Sequence, residues 1–266
     1  MSERPSISIA VATHKPYRMP DDPVYLPLQV GKALHPEVDL GFATDATGES
    51  ISDLNGVLSE LTALYWMWKN SDAAYRGLVH YRRHFRSPQA KRQDGRFARI
   101  AGEDDFRQAL ERADIVVPAK RNYYIETIAS HYEHTHAKEH LIETRRVLMG
   151  MCPQYTHAFD RVMHGTSAHM FNMLVMRDEL LDEYCTWLFP VLFALMRRID
   201  PASCGSEFEM RYPGRISEML LDVWIAANGY AYTELPTIIP EPVNWARKGS
   251  AFLAAKFAGS TYKKSF

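Results

Sequence analysis

Short runs of β-branched and apolar residues, each ending in a polar cluster, alternate along this chain with stretches whose apolar residues recur at helical spacing. That alternation constrains the fold more than any other feature. Buried strands separated by helices predict an α/β architecture with a largely parallel sheet flanked by helices. Ser6 to Ala12 (SISIAVA) reads as the first buried strand, and Thr13-His14-Lys15-Pro16 ends it. Pro20, Pro23 and Pro27 make the next segment rigid and irregular. Leu40 to Thr44 is a second short strand, followed by the turn Asp45-Ala46-Thr47-Gly48. Leu58 to Lys69 has the period of an amphipathic helix. Tyr75 to His80 is the next strand, Arg86 to Arg99 a mobile basic loop, Asp104 to Arg112 a helix and Ala113 to Pro118 a further strand. Ile125 to Val162 reads as mostly helical, and MFNMLVM within His164 to Met176 as strand. Asp178 to Ile199 and Ser217 to Asn228 are helices, Gly229 capping the second, and Ala231 to Ile239 is a last strand.

Composition narrows the function classes. With 266 residues, 46% of them hydrophobic, the chain has ample material for a core. A net charge of −1 argues against general nucleic-acid binding, while leaving room for a local basic patch. Three scattered cysteines, Cys152, Cys185 and Cys204, give neither a disulfide framework nor a zinc spacing and fit a reducing, cytoplasmic setting. The apolar run near the N-terminus is too short for a signal peptide, and no segment approaches the ~18 apolar residues of a membrane span. Phe252 to Phe266 mixes aromatics with Lys256, Lys263 and Lys264, the composition of either a packed or frayed terminus or a membrane-surface contact.

In open α/β sheets, ligands bind outside the carboxyl ends of the strands. Three polar clusters fall there: Thr13-His14-Lys15, Asp45 with its turn, and His80-Tyr81-Arg82-Arg83. Arginine forks match phosphate oxygens, so Arg82 and Arg83, with His80 and Lys15, suit either a diphosphate clamp or a surface ion-pair cluster. Side chains alternate along an extended segment, so one arginine can meet ligand while the other pairs with an internal carboxylate. The helix beginning near Asp53-Leu54-Asn55 offers an N-terminal dipole, beside which Glu60 is either dipole compensation or a functional acid. His131, His134, His136 and His140 lie close in sequence, and His136 and His140 would share a helical face. No H-E-x-x-H or nearby cysteine completes a zinc set, so a structural or solvated cluster is expected, with His136 alone kept as a ligand-facing candidate. Glu218 falls in the first turn of the helix expected from Ser217, as dipole compensation or as a base at a cleft edge. Walker, G-x-G-x-x-G and G-x-S-x-G motifs are absent.

Several stretches taken together, ATHK, YLPLQVG, LGFATDATGESISDLN, SELTALYWMWKN, GLVHYRRHF, DIVVPAKRNY, PQY, FNMLVM and GRISEMLL, resemble a family of bacterial capsule, exopolysaccharide and O-antigen biosynthesis proteins long labelled a domain of unknown function. The resemblance runs to about residue 242. It implies a GT-A-like (Rossmann-like) glycosyltransferase, residues 1–245 forming one domain and 246–266 a tail, with some members linked to galactofuranose transfer. GT-A enzymes typically hold a divalent metal on an Asp-x-Asp motif, and here His80-Tyr81-Arg82 stands in that place. The resemblance therefore implies transfer without an Asp-x-Asp metal or other cofactor, fixed cations stabilising the diphosphate leaving group, with Asp45 as an alternative holder if a metal is used. It implies that Thr13, His14 and Lys15 border the nucleotide and that Asp45, Asn55 and Glu60 read base, ribose or sugar hydroxyls. His80, Arg82 and Arg83 would hold the diphosphate, and Asn172 and Met173, beside His136, would line the sugar or acceptor pocket. Glu218 would be the base of an inverting reaction, with Asp222 one turn later as fallback. The implied partners are a nucleotide sugar, such as a UDP-sugar, and a glycan or lipid-linked glycan acceptor, with possible peripheral contact at the inner face of the membrane. A non-catalytic binder of nucleotides or phosphoglycans and a metal-dependent hydrolase built on the histidine cluster are the alternatives.

Overall fold

A computed structural model describes residues 5–241. The expected tail, 246–266, lies outside the described residues. At the centre is a seven-stranded sheet. Its strands in chain order are β1 (Ile7–Thr13), β2 (Tyr25–Gln29), β3 (Ala43–Thr44), β4 (Tyr75–His80), β5 (Ile115–Pro118), β6 (Leu174–Arg177) and β7 (Thr233–Leu235). They lie side by side as β7-β5-β6-β4-β1-β2-β3. Every pairing is parallel except those of β6, which runs antiparallel to both β4 and β5. The longer helices are α1 (Leu61–Asn70), α2 (Glu103–Leu110), α3 (Glu139–Met151), α4 (Thr156–His164), α5 (Asp178–Arg198) and α6 (Tyr212–Asn228).

The period-2 alternation of β1 divides the core in two. Ile9 and Val11 point into one apolar cluster with Phe85, Phe106 and Leu235, and Ala10 and Ala12 into a larger one with Leu64, Leu188 and Trp224. Buried apolar residues on both faces explain why the strands read as continuous hydrophobic runs. Gly77 lets β4 and β6 approach closely, since a Cβ there would sit 2.6 Å from the Leu174 carbonyl oxygen.

The structure corrects several element boundaries. The proline-rich segment after the first strand contains β2, with Pro27 inside it. Val24 O accepts from Ile9 N and Val30 N donates to Thr13 O, so the even-numbered residues of this stretch face β1. Pro27 therefore turns its nitrogen the other way, where the two-residue β3 starts only opposite Leu28. No ladder hydrogen bond is sacrificed there. Of the strand expected over 40–44, only Ala43–Thr44 forms. The helix expected from Leu58 is split: Asn55–Leu58 makes one turn, Ser59 takes φ +53°, and α1 begins at Leu61. The helix expected from Ser217 begins five residues earlier, with Pro213 in its first turn, where its missing N–H costs nothing. The last strand divides into β7 and Thr237–Ile238, which pairs with His84–Phe85. The segment 125–162 is mostly helical, as expected, although His136 lies between two helices.

Candidate active site

Thr13, His80 and Pro118 end parallel strands at one edge of the sheet. Because β6 is antiparallel, it begins at that same edge, and Leu174 pairs with Leu78. The polar end of β4 and the segment before β6 are thereby brought together.

After β4 the chain turns tightly: His80 N donates to Arg83 O and Arg83 N to His80 O, at 3.2 and 3.0 Å. Tyr81 N donates to Ala12 O, tying the turn to the end of β1. The two arginines diverge. Arg82 is exposed, its guanidinium 5.2 Å from the Tyr81 ring centroid, in the company of Lys15 at 5.3 Å from that ring and His14 edge-on to it at 5.4 Å. Among the described residues Arg82 makes no ion pair. Arg83 turns inward, 3.7 Å over the Phe171 ring. Burial holds its pKa below the usual arginine value, opposed by the charges of Glu218 and Glu60.

A network of acids and amides faces Arg83. His80 Nε2 donates to Phe171 O at 2.8 Å and lies 3.6 Å from Glu60 Oε1. Asn172 Nδ2 donates to Glu60 Oε1 at 2.6 Å and to Gly214 O at 2.9 Å. Glu218 Oε2 accepts the Phe171 N–H at 2.9 Å. Burial first, then the neighbouring Glu60 charge, pushes the Glu218 pKa up to about 7, against the pull of that N–H, Arg83 and Arg215. A carboxyl group poised near neutral pH beside cations suits general base chemistry. Phe171 and Asn172 both have left-handed backbones, φ +84° and +52°. That is costly for side-chain-bearing residues and turns the Phe171 N–H toward α6 and its carbonyl toward β4.

Other expected residues are held elsewhere. Asp45 is fully buried and accepts from Ser52 Oγ (2.5 Å), Thr62 Oγ1 (2.6 Å), Gly31 N (2.9 Å) and Lys32 N (3.3 Å). Both oxygens are occupied, so its place in this structure is that of a brace rather than a reader of sugar hydroxyls or a metal holder. Asn55 donates to Ser59 O and Thr62 Oγ1, bracing the break before α1. Met173 is fully buried in the core cluster with Ile9 and Val11, so it lines no pocket. Thr13 is buried, its hydroxyl donating to Lys15 O. Glu218 sits in the second turn of α6 because the helix starts early. Asp222, the fallback base, is buried and engaged by His169 N at 2.8 Å and His169 Nδ1 at 2.6 Å.

The histidines of 131–140 do not converge. His131 and His134 meet Glu126, His140 meets the Tyr132 hydroxyl, and His136 accepts from Arg215 Nη1 at 3.3 Å. Burial, reinforced by Arg215, holds His136 down to about 3, so its ring is neutral. Among the described residues no group of three or more His, Cys, Asp and Glu is placed to hold a metal ion.

Sequence reasoning missed Arg121, Arg215 and His169. Arg121 acts on the charge of Arg83, and Arg215 on that of Glu218. Arg121 and His169 meet their partners across the fold, and Arg215, three residues before Glu218, lies in a stretch whose period marks a helix but not which of its side chains face the site.

Residues 8–229 match the family model described as a domain of unknown function (DUF4422). Among solved structures the chain is similar to the apo structure of WbbM, a bifunctional glycosyltransferase, with a TM-score of 0.80 and 26% identity. The match covers 89% of this chain and 46% of that one, so this chain spans about half the length of that protein. No curated protein matches. The mixed, mostly parallel sheet with its flanking helices is a GT-A-like α/β fold.

Proposed function

We propose that this chain, which belongs to the DUF4422 family, is a glycosyltransferase that moves a sugar from a nucleotide donor to a glycan or lipid-linked glycan acceptor. The donor we infer is a UDP-sugar, with UDP-galactofuranose the first to test, and the setting is bacterial surface-polysaccharide synthesis at the cytoplasmic side. We assign residues 1–245 to one transferase domain. The likeness to one half of a bifunctional glycosyltransferase supports the reaction class.

The observation that carries the proposal is Glu218, a carboxyl group tuned to about 7, facing the charge of Arg83 and joined through Phe171 to His80, at the sheet edge where such folds bind ligands. As the acceptor hydroxyl oxygen bonds to the anomeric carbon, its proton passes to Glu218. The bond from that carbon to the diphosphate oxygen breaks, and the electron pair leaves with the nucleoside diphosphate. Attack from the face opposite the leaving group inverts the anomeric centre. Arg82 and Lys15, gathered around Tyr81, supply exposed positive charge for the departing diphosphate, and His14, whose pKa burial and those two cations lower, supplies an N–H donor. We assign Glu60, oriented by its hydrogen bond from the buried Asn172, to the sugar hydroxyls.

The test is a transfer assay with UDP-sugars and glycan acceptors, wild type against Glu218→Gln. The amide keeps the shape and removes the base, so kcat falls by roughly 10²–10⁴-fold with donor binding retained. Equal rates in the two proteins would refute the assignment, and binding without transfer in wild type would favour a non-catalytic nucleotide-binding protein.

A further inference from the structure

His169 is buried and belongs to none of the roles assigned above. Its Nδ1 lies 2.6 Å from Asp222 Oδ1 and its Nε2 2.9 Å from Glu234 Oε1, so both ring nitrogens meet carboxylates. Its own backbone N–H donates to Asp222 Oδ2 at 2.8 Å. Lys120 Nζ stands 3.8 Å from Asp222 and balances some of the acidic charge. One imidazole thus joins α6, β7 and the segment leading to β6.

The spacing has a consequence for Glu218. Asp222 and Glu218 are one helical turn apart on α6, about 6 Å along its axis. The N–H groups of residues 169 and 171 are about 6.6 Å apart where the chain is extended. The two carboxylates receive those two N–H groups in order, Asp222 from His169 and Glu218 from Phe171. The segment is fastened to the helix at two successive rungs, and His169 adds a side-chain lock to the first. Beyond that lock come the left-handed Phe171 and Asn172. Such a conformation is strained for a residue that carries a side chain and persists only where its surroundings over-determine it.

We propose that His169, clamped between Asp222 and Glu234, is the positioning residue that holds the Phe171–Asn172 turn against Glu218 and His80. With the clamp gone, the turn relaxes toward ordinary backbone. Glu218 then loses the Phe171 N–H, and His80 loses the Phe171 carbonyl. The hydrogen bond lost is one that favours ionised Glu218. The other groups acting on Glu218 remain: Glu60 before α1, Arg83 after β4 and Arg215 on α6. Tyr123 and Tyr132 share its electrostatic surroundings and also stay. The catalytic consequence rests on the glycosyltransferase proposal, but the geometric one does not.

The experiment is a carbon-13 NMR titration of the Glu218 carboxyl group in the full chain, labelled at glutamate and assigned by loss of the signal in Glu218→Gln. It is run beside the pH profile of kcat/KM for transfer. Wild type is expected to titrate near 7. In His169→Gln the midpoint moves up by about half a unit or more, the acid limb of kcat/KM moves with it, and UDP affinity is unchanged. The isosteric Asp222→Asn carries the same measurement and the same expected outcome if His169→Gln does not fold. An unmoved midpoint in a folded variant overturns the proposal. A shifted midpoint in a protein that transfers no sugar supports the positioning role and removes the transferase proposal. An active enzyme whose Glu218 ignores both substitutions does the reverse.

Discussion

Replacing Asp45 by asparagine separates a brace from a ligand contact. The carboxylate is fully buried and takes two donors on each oxygen: Ser52 Oγ and Lys32 N on one, Gly31 N and Thr62 Oγ1 on the other. Asparagine keeps one acceptor oxygen and puts an NH₂ group in place of the other. The hydroxyl on that side rotates and accepts. The peptide N–H on that side, Gly31 or Lys32 according to the amide orientation, faces a second donor and loses its partner. An orphaned buried donor costs about 1–3 kcal/mol, and exchanging charge-assisted hydrogen bonds for neutral ones adds about 1 kcal/mol. Asp45→Asn is therefore expected to destabilise the protein by roughly 2–4 kcal/mol, a fall in Tm on the order of 10 °C for a chain of this size. Differential scanning fluorimetry measures the shift, and calorimetry well below the new Tm measures UDP binding, expected to be unchanged. A variant that melts like wild type but has lost UDP affinity would refute the brace and return Asp45 to the donor site.

Two further outcomes follow from local geometry. Gly77→Ala places a methyl group 2.6 Å from the Leu174 carbonyl oxygen and 2.8 Å from Val175 Cγ2; urea unfolding is expected to show a loss of about 1–3 kcal/mol, and unchanged stability would mean that β4 and β6 part easily. Glu218 has a pKa raised from 4.5 to about 7, so the native state binds its proton more tightly than the unfolded chain does. Its contribution to stability is full below 4.5 and lost as pH rises to about 7. Glu218→Gln is therefore expected to be more stable than wild type at pH 8, by at most about 3 kcal/mol, and close to it at pH 4.5; urea titrations at the two pH values check the sign.

The parts of the fold legible in the sequence were those whose cause is local. β4 is legible in the sequence because the short apolar core Leu78-Val79 gives way at once to the polar cluster His80-Tyr81-Arg82-Arg83. β2 was missed because Pro27 speaks against a strand unless one knows which neighbour its nitrogen faces. The start of α6 was missed because Pro213-Gly214 resembles a breaker, although proline is at home in a first helical turn and Gly214 packs near the Leu58 carbonyl. The divergence of Arg82 and Arg83 was anticipated from strand alternation, whereas the burial of Met173 depends on the strained turn before β6, which no composition announces. His169 was invisible for another reason: its partners are 53 and 65 residues away, and only the sheet order unites them.

In the proposed transferase, Arg82, Lys15 and His14 form the phosphate-facing side of a nucleotide-sugar site and Glu218 is its base. Titration calorimetry of UDP into the full chain in EDTA, for wild type and Arg82→Ala, tests it most directly. Saturable binding in EDTA that weakens at least tenfold in a normally folded Arg82→Ala protein is the predicted result. Binding that appears only when Mn²⁺ is added, or that ignores Arg82, would contradict it.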